Sequence, residues 1–521
     1  MSENNKTETP ISEEEKLRYT SKYNSLIMPQ NFGRKVIYTD FDEITKDNLL
    51  DVLSKSLSTH ITNQRDIEYL WEYYKGNQDI LYRDIDDLGT ANNTIVENHA
   101  NEIVTFKTGY LLQNPIQYVP KVEGIEKEIS ILNNYVFDEE KPSKDKKLSD
   151  WMHICGTGYR LIIPDKTDNG DEDFAPFELY TLDPRNTFVV YHNGLGNKVL
   201  MGVTIKVLNE GTGRPIYSGY TSTHYFEVDN NTITRWERHI LKEVPIIEYP
   251  LNEGRVGAFE LVLPLLNAIN KTISDKQNGL ENFIHSLLVF QNVDLQDGDF
   301  ARVKILGGIA INDTSPDRKA DVKYLTQTLN QGDSQTLIDH QYKQLLRIVG
   351  MPFMSMSGAG DSSNGIAIEL RDGWSQAEMH AKGVELEWQQ SEKVFLRLLL
   401  RICKSRRKLD LSTNEIDFRF DRWNHSNILS KSQVLTTMLA NEKIHPRLAF
   451  QASDMFIDPE LAYQQSIEWY EKHKDEGGAD AGVRSIQYQA DRRDYIFEKA
   501  SSRSENREWQ DSSSGTDKKS S

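Results

Sequence analysis

The sequence feature that most constrains the fold is a long, regular apolar stripe over residues 366–407. Apolar side chains recur there every three or four residues, and Ser391 is the single polar member. The apolar members are Leu370, Trp374, Ala377, Ala381, Val384, Trp388, Phe395, Leu398 and Ile402. This spacing predicts one α-helix of about five heptads, roughly 60 Å long at 1.5 Å per residue. Such a helix is unusual in a compact enzyme domain and indicates a strut.

Two shorter helices with a β insertion between them precede the long helix. Helical spacing predicts these helices over 259–286 and 332–350. Pro264 marks either the start of the first helix or a bend in it, and Gly350 with Pro352 ends the second. Residues 287–331 are strand-like and carry turn signals, so we predict a small α/β insertion there.

Residues 351–364, MPFMSMSGAGDSSN, connect the second helix to the long one, which is assigned to 365–410. This connection is long and rich in serine and glycine, and long loops in compact proteins are often functional. From these residues alone, a plain surface connection is the simpler interpretation.

The remaining segments complete the predicted organisation. β-branched and aromatic runs separated by Asn-Gly and Gly-Asn turn signals predict a mostly β region over 157–250, within a larger α/β part over 21–258. Residues 411–474 are predicted to be helical, residues 1–20 to form a disordered arm and residues 475–521 a flexible tail. The predicted fold class is therefore α+β and predominantly helical.

The charge balance and the cysteines limit the functions open to the chain. Asp and Glu outnumber Lys and Arg by 79 to 61, for a formal net charge of −18. Tight binding to many phosphates needs clustered basic residues and is disfavoured, although DNA could still slide past such a surface. The two cysteines form no C-x-x-C pair, and neither a secretory signal nor an apolar run of about 18 residues is visible. We predict a soluble, intracellular protein outside the membrane.

Catalytic motifs are not found. The nearest approach to a phosphate-binding loop, residues 360–365, is followed by Ile366 in place of lysine. Neither H-E-x-x-H nor the nucleophile elbow G-x-S-x-G occurs. Asp294, Asp297 and Asp299 form an acidic cluster that fits a cation site or, more simply, a hairpin turn. We predict no catalytic residue, no metal and no cofactor.

Two residue pairs have both a chemical and a structural interpretation. His153 close to Cys155 offers metal-ligand chemistry, and Trp374 with Trp388 could stack a nucleic-acid base. The histidine and cysteine have no further ligands at metal-binding spacing, and both tryptophans lie on the apolar stripe. Ordinary core packing is the favoured interpretation of both pairs.

Several short motifs occur in order along the chain. They are YLWEYYKGN at 69–77, NHANEIV at 98–104, KTGYLLQNP at 107–115, LDPRNTFVV at 182–190 and SNGIAI at 363–368. Together with the succession helix, β insertion, helix, Ser/Gly loop and long helix, they resemble the portal (head–tail connector) proteins of tailed bacteriophages, closest to the siphophage type. The resemblance covers about residues 60–470. Gln113, where the family more often has glycine, and Asn364, which separates the serine from Gly365, depart from the pattern.

The resemblance implies a phage-portal fold and a closed ring with a central channel, with twelve subunits in the virion and twelve or thirteen in isolated rings. Double-stranded DNA would pass through the channel at one capsid vertex during packaging and ejection. The implied partners are terminase, a head-completion adaptor protein, and the major capsid and scaffolding proteins, with assembly in the host cytoplasm. A non-viral, protein-binding ring scaffold and a metal-dependent nucleic-acid enzyme are the alternatives.

Carried onto this sequence, the resemblance assigns a role to each region. The wing is 21–258, the stem helices are 259–286 and 332–350, the clip is 287–331, the tunnel loop is 351–364, the long wing helix is 365–410 and the crown is 411–474. In the tunnel loop, neutral side chains would offer weak, sequence-independent hydrogen bonds to DNA. These are Ser355, Ser357, Ser362, Ser363 and Asn364.

The other two groups of implied site residues are charged. Lys271, Lys276, Lys343 and Arg347 are candidates for positive rings that line the stem. Their simpler interpretation is surface or inter-subunit ion pairing, with Glu260, Asp275, Glu281 and Asp339 available as partners. The clip residues that would face terminase or adaptor are Asp294, Asp297, Asp299, Asp313, Asp317, Arg318 and Lys319.

Overall fold

The computed structural model describes most of the chain between residues 32 and 473. The described ranges are 32–83, 91–122, 124–166, 170, 174–207, 214–284, 287–291, 321–325, 331–353, 373–407, 409–422, 428–441, 443–453, 455–456 and 459–473. The chain divides into two compact units, Met1–His425 and Ser426–Ser521. The predicted arm, 1–20, and tail, 475–521, lie outside the described residues.

Four helices form in the first part of the chain: α1 Leu49–Lys75, α2 His99–Leu111, α3 Glu126–Asp138 and α4 Lys141–Cys155. Helix α1 ends at Gly76, whose left-handed backbone (φ 99°) lets two amides close the last turn onto Tyr73 and Glu72. The Asn98 side chain caps α2 by accepting from the amide of Asn101.

The predicted β region contains eight strands, which form two sheets together with an earlier strand. The earlier strand is β1 Ile37–Thr39, and the eight are β3 Thr157–Pro164, β4 Phe177–Leu182, β5 Thr187–His192, β6 Val199–Val207, β7 Pro215–Thr221, β8 His224–Asp229, β9 Thr232–Arg238 and β10 Ile246–Pro250. A further strand, β2 Gln117–Pro120, lies outside these two sheets. One sheet has the order β1-β5-β6-β7-β8-β9, the other β10-β3-β4. All pairs in these two sheets are antiparallel except β1 with β5.

The helix pair has the predicted positions. A short 3-10 turn, Glu260–Val262, leads into α5 Leu263–Ile284, and α6 spans Gln331–Val349. Because Pro264 is the second residue of α5, it marks the helix start and not a bend. Between the two helices, β11 Leu287–Gln291 pairs antiparallel with β12 Asp321–Leu325.

The long helix α7 spans Trp374–Arg407 in the described part of the chain. The predicted stripe is buried at Ala377, Ala381, Trp388, Phe395, Leu398 and Ile402. Ser391, its polar member, donates to the carbonyl of Glu248 on β10 at 2.8 Å. The helix thus lies against the smaller sheet and forms the largest hydrophobic core with it.

A short strand, β13 Ile416–Arg419, follows α7 and pairs with β2, so it belongs to the first unit. The second unit begins at Ser426 and contains α8 Ile428–Leu439, α9 Pro446–Ser453 and α10 Pro459–His473 around a small core of Leu435, Ala449 and Phe450. The predicted crown boundary at 411 therefore falls inside the first unit. Among the described helices, none is long and apolar enough to cross a membrane.

Candidate functional site

The four predicted stem cations lie on the helix pair, mainly on its exposed surface. Lys271, Lys343 and Arg347 are exposed, and Lys276 is half-buried. The Lys276 ammonium donates to Oε1 of Gln335 at 2.7 Å and so links α5 to α6. The Lys343 ammonium lies 5.3 Å from the ring centre of Phe353. Within the described ranges, none of the four forms an ion pair.

The acidic residues considered as partners for these cations have other contacts. Asp275 pairs with Arg83 at 2.5 Å, and Glu281 accepts from the Asn93 amide group at 2.6 Å. Asp339 accepts from Gln335 at 2.8 Å, and Glu260 is fully buried. Their described contacts do not include the stem cations, so the ion pairs considered for these residues do not form within the described chain.

A ladder of short polar side chains runs along one face of α5 and binds the extended segment 91–98. The amides of Glu97, Ile95 and Asn93 donate to side chains at 2.9, 2.9 and 2.6 Å. The acceptors are, in the same order, Asn270, Ser274 and Asn278, all of which are buried. The ladder therefore gives hydrogen-bond partners to three backbone amides of this segment.

The regularity of the ladder follows from the geometry of the two elements. Four helical residues rise about 6.0 Å, and two extended residues advance about 6.6 Å. Every second amide of the extended segment therefore meets every fourth side chain of α5. This match holds α5 in a fixed register against residues 91–98.

A second polar contact joins the same segment to α6. Both ring nitrogens of His99 face carboxylates, Glu102 at 2.6 Å and Glu97 at 3.0 Å. The Tyr342 hydroxyl of α6 donates to the other oxygen of Glu102 at 2.7 Å, and its ring lies 4.7 Å from the His99 ring. Residues 91–102 are thus fastened to both helices of the pair.

This contact is expected to make stability depend on pH. Burial alone would lower the pKa of His99, but its bonds to Glu102 and Glu97 outweigh burial and raise the pKa above 6.5. The stabilisation is then complete below pH 6.5 and lost as pH rises through the folded-state pKa. We expect His99→Gln to cost about 1.5 kcal/mol at pH 5.5, the scale of one charge-assisted hydrogen bond, and clearly less at pH 9.

Urea unfolding of both proteins at the two pH values measures this difference. Burial lowers the pKa of His60 to about 4 and that of His153 to about 3, but both residues are present in both proteins, so their effects cancel. Tyr342→Phe is the control, because it removes the neutral donor to Glu102 and leaves both carboxylates beside His99. If His99→Gln lowers the free energy of unfolding equally at both pH values, the raised pKa of His99 is contradicted.

The start of α5 is anchored by a buried ion pair. Oε1 of Glu260 accepts from the Arg34 guanidinium at 2.5 Å and from the Gly33 amide at 2.8 Å, and Oε2 accepts from the Gly257 amide at 2.8 Å. Gly33 has φ 82°, and a Cβ there would lie 2.2 Å from the carbonyl oxygen of Gly254. Only glycine fits this position, where the N-terminal segment crosses the entry to α5.

A cluster of four buried charges fastens the long helix α7 to α4 and β3. The Lys141 ammonium lies 2.7 Å from Asp145 and 2.9 Å from Glu392, and the Arg160 guanidinium contacts the same two carboxylates. Tyr118 and Tyr249 donate to the two oxygens of Glu392 at 2.7 and 2.8 Å. The cluster has two positive and two negative charges, so it is electrically balanced.

The remaining predicted site residues lie outside the described residues. They are Ser355, Ser357, Ser362, Ser363 and Asn364 of the tunnel loop, and Asp294, Asp297, Asp299, Asp313, Asp317, Arg318 and Lys319 of the clip. The first residues of the predicted tunnel loop are described. Met351 is buried and Phe353 packs against the same core.

The packing interpretation is confirmed for His153, Cys155 and Trp388, whereas Trp374 is half-buried with its ring beside those of Phe106 and Tyr110. His153 is buried and bonds to the Ser149 carbonyl at 2.8 Å, and Cys155 is buried. Trp388 is fully buried against Tyr249. In the described part of the chain, no group of three or more His, Cys, Asp or Glu residues is placed to hold a metal.

The described architecture combines a long helix, fixed to a sheet by buried charges, with a helix pair that carries a β insertion. The chain belongs to the phage portal protein family, SPP1 Gp6-like, whose family model matches residues 53–479. It is therefore a bacteriophage virion component of a structural family that assembles as an oligomer. A comparison with curated proteins gives no match.

Proposed function

We propose that this chain forms the portal ring at one vertex of a tailed-phage capsid. Twelve copies would surround a channel through which double-stranded DNA is packaged and later ejected. The ring would also be the platform on which terminase docks during packaging and the head-completion adaptor afterwards. Major capsid and scaffolding proteins would join it during assembly in the host cytoplasm. The family match over residues 53–479 is the observation that carries this proposal.

The charges of the chain support a conduit more than a DNA-binding site. A net charge of −18 disfavours tight binding of phosphates, which would slow the passage of DNA. Lys271, Lys343 and Arg347 are exposed on the helix pair without ion partners among the described residues, so a shallow positive zone in the stem is compatible with this charge. The tunnel-loop serines add no fixed charge.

The rigid helices suit a ring of identical subunits. A closed ring joins two different faces of each copy, and each face must keep its shape while DNA moves. The ladder to α5, the Tyr342 contact to α6 and the charge cluster on α7 each fix one long helix against the rest of the first unit.

Native mass spectrometry of the purified protein, combined with negative-stain images of the same sample, tests the proposal. We expect a particle of twelve or thirteen times 60.0 kDa with a central hole. The same measurement after co-expression with the phage scaffolding protein covers assembly that depends on scaffold. A stable dimer or tetramer without a channel under both conditions would contradict the portal ring.

A further inference from the structure

A small cavity of about 10 Å³ lies where the N-terminal segment 34–37 meets α1, β3 and β5. All of its lining residues belong to the first unit. Roughly 10–15 Å³ is the room that one water molecule needs inside a protein. The size of the cavity therefore suits a single water and excludes a phosphate, a nucleotide or an organic ligand.

Arg34 brings unpartnered hydrogen-bond donors to this cavity. Its side chain is buried, and its Nη2 group donates to Oε1 of Glu260 at 2.5 Å. The Nε and Nη1 groups of the same guanidinium are buried and have no hydrogen-bond partner within the described ranges. A guanidinium carries five N–H donors, so the ion pair with Glu260 satisfies only part of it. The remaining donors are unfavourable without an acceptor, because burial has removed their bonds to bulk water.

Thr187, the first residue of β5, lines the same cavity. It is 1% exposed, and its hydroxyl likewise has no hydrogen-bond partner among the residues that the structure describes. Two buried polar side chains that are distant in sequence thus line one small space with bonding capacity to spare. Because the great majority of buried polar groups in proteins are hydrogen-bonded, this coincidence indicates a ligand between them.

The charges around the cavity indicate that the ligand is neutral. The positive charge of Arg34 is balanced by Glu260. Glu248 also lines the cavity and pairs with Arg255 at 2.7 Å, and Lys35, a further lining residue, is exposed. The Glu248 carboxylate would repel an anion, and the Arg34 guanidinium would repel a cation. A neutral molecule of this size that accepts hydrogen bonds from a guanidinium is water.

We propose that one ordered water molecule occupies this cavity, accepts from the Arg34 guanidinium and is hydrogen-bonded to the Thr187 hydroxyl. A buried water typically makes about three hydrogen bonds, so it can satisfy both side chains at once. The water would complete a chain of hydrogen bonds from β5 through Arg34 to Glu260, in the turn that leads into α5. It would thus connect the larger sheet to the entry of the helix pair, whether or not the chain forms a ring.

An experimental structure of the full-length protein, at a resolution that shows ordered waters, tests the site directly. We expect a single density peak within hydrogen-bond distance of Oγ1 of Thr187 and of Nε or Nη1 of Arg34. Bromide soaking distinguishes an anion from water, and an anomalous peak at this position would overturn the inference. The absence of any peak would also overturn it, and so would a residue of segment 1–31 that fills the cavity.

The substitution Thr187→Val tests the bridge in solution, because its effect on stability has a different sign with and without the water. Valine has nearly the shape of threonine but lacks the hydroxyl. With the bridging water, the substitution removes one hydrogen bond, and the equilibrium constant for unfolding should rise about fivefold. Without the water, it replaces an unsatisfied buried hydroxyl by a methyl group, and the constant should stay the same or fall. A constant that does not rise would therefore overturn the inference.

Thr204→Val is the matched control for this measurement. Thr204 lies directly opposite Thr187 on β6 and does not line the cavity. The control makes the same chemical change in the same pair of strands, so it measures the response of these strands to valine alone. Urea unfolding of wild type and both variants gives the three constants. An equal rise in the unfolding constant for both variants would assign the loss to the strands and contradict the water bridge.

Discussion

Replacing Glu392 by glutamine is expected to lower the free energy of unfolding by about 3–5 kcal/mol, the usual cost of breaking a buried ion pair by removing one partner. Glu392 is fully buried at the centre of the charge cluster, where it faces Lys141 and Arg160 and accepts from two tyrosines. Glutamine keeps the size of the side chain but leaves two buried cations with one carboxylate, Asp145. Urea unfolding followed by tryptophan fluorescence measures the change, because Trp388 is buried one turn away.

A double-mutant cycle separates the charge effect from loss of packing. Lys141→Met alone leaves one cation with two carboxylates, whereas Lys141→Met with Glu392→Gln leaves the balanced pair of Arg160 and Asp145. The double variant should therefore lose clearly less stability than the sum of the single variants. Glu387→Gln, half-buried on the same helix and outside the cluster, is the control and should change stability by about 0.5 kcal/mol or less. Strict additivity in the cycle would contradict the ionic assignment.

The loss of unfolding free energy caused by Glu392→Gln should depend on pH in one direction. Burial would raise the pKa of Glu392, but the nearby Lys141 and Arg160 lower it to about 2, below the unfolded value of 4.5. The stabilisation is therefore complete above pH 4.5 and lost as pH falls toward 2. We expect the free energies of unfolding of wild type and Glu392→Gln to differ by the same amount at pH 6 and pH 7, and by a smaller amount at pH 3.

The sequence predicts α7 well but not the cluster that fixes it. The 3/4 spacing of apolar residues identifies the helix because one broad face packs on the sheet. Glu392 lies next to Ser391 on that face, yet a lone carboxylate on a helix is normally solvent-exposed. Its burial depends on Lys141 and Arg160, which are distant in sequence. No local sequence pattern predicts that side chains so distant in sequence will form an ion pair.

For the helix pair too, the sequence predicts the helices but not the contacts that hold them. The apolar stripe and Pro264 predict α5 because both act within the helix. The polar ladder does leave a signal, since Asn267, Asn270, Ser274 and Asn278 recur at helical spacing, but its partner, the extended segment 91–98, has no local signature. The tunnel-loop and clip residues were predicted from family resemblance alone, and they remain predictions because they lie outside the described residues.

Shortening the tunnel loop is expected to abolish packaged genomes while leaving the portal ring intact. Met351 is buried and Phe353 packs against the same core, so the deletion should begin after residue 353 and spare the end of α6. Removal of residues 355–363 takes away the four serines proposed to lie near DNA and leaves Asn364, without touching the described helix contacts. The ring should therefore assemble, whereas DNA passage, which depends on contacts inside the channel, should fail.

The measurement is the DNA content of phage heads made with the shortened portal, alongside negative-stain images of the purified ring. A replacement of 355–363 by a Gly/Ala segment of equal length is the matched control, since it keeps the reach of the loop and removes its serines. Partial filling with the replacement and none with the deletion would show that loop length is the main requirement. Heads filled to the wild-type level with the deletion would remove the tunnel-loop role from these residues, because an element required for passage cannot be dispensable.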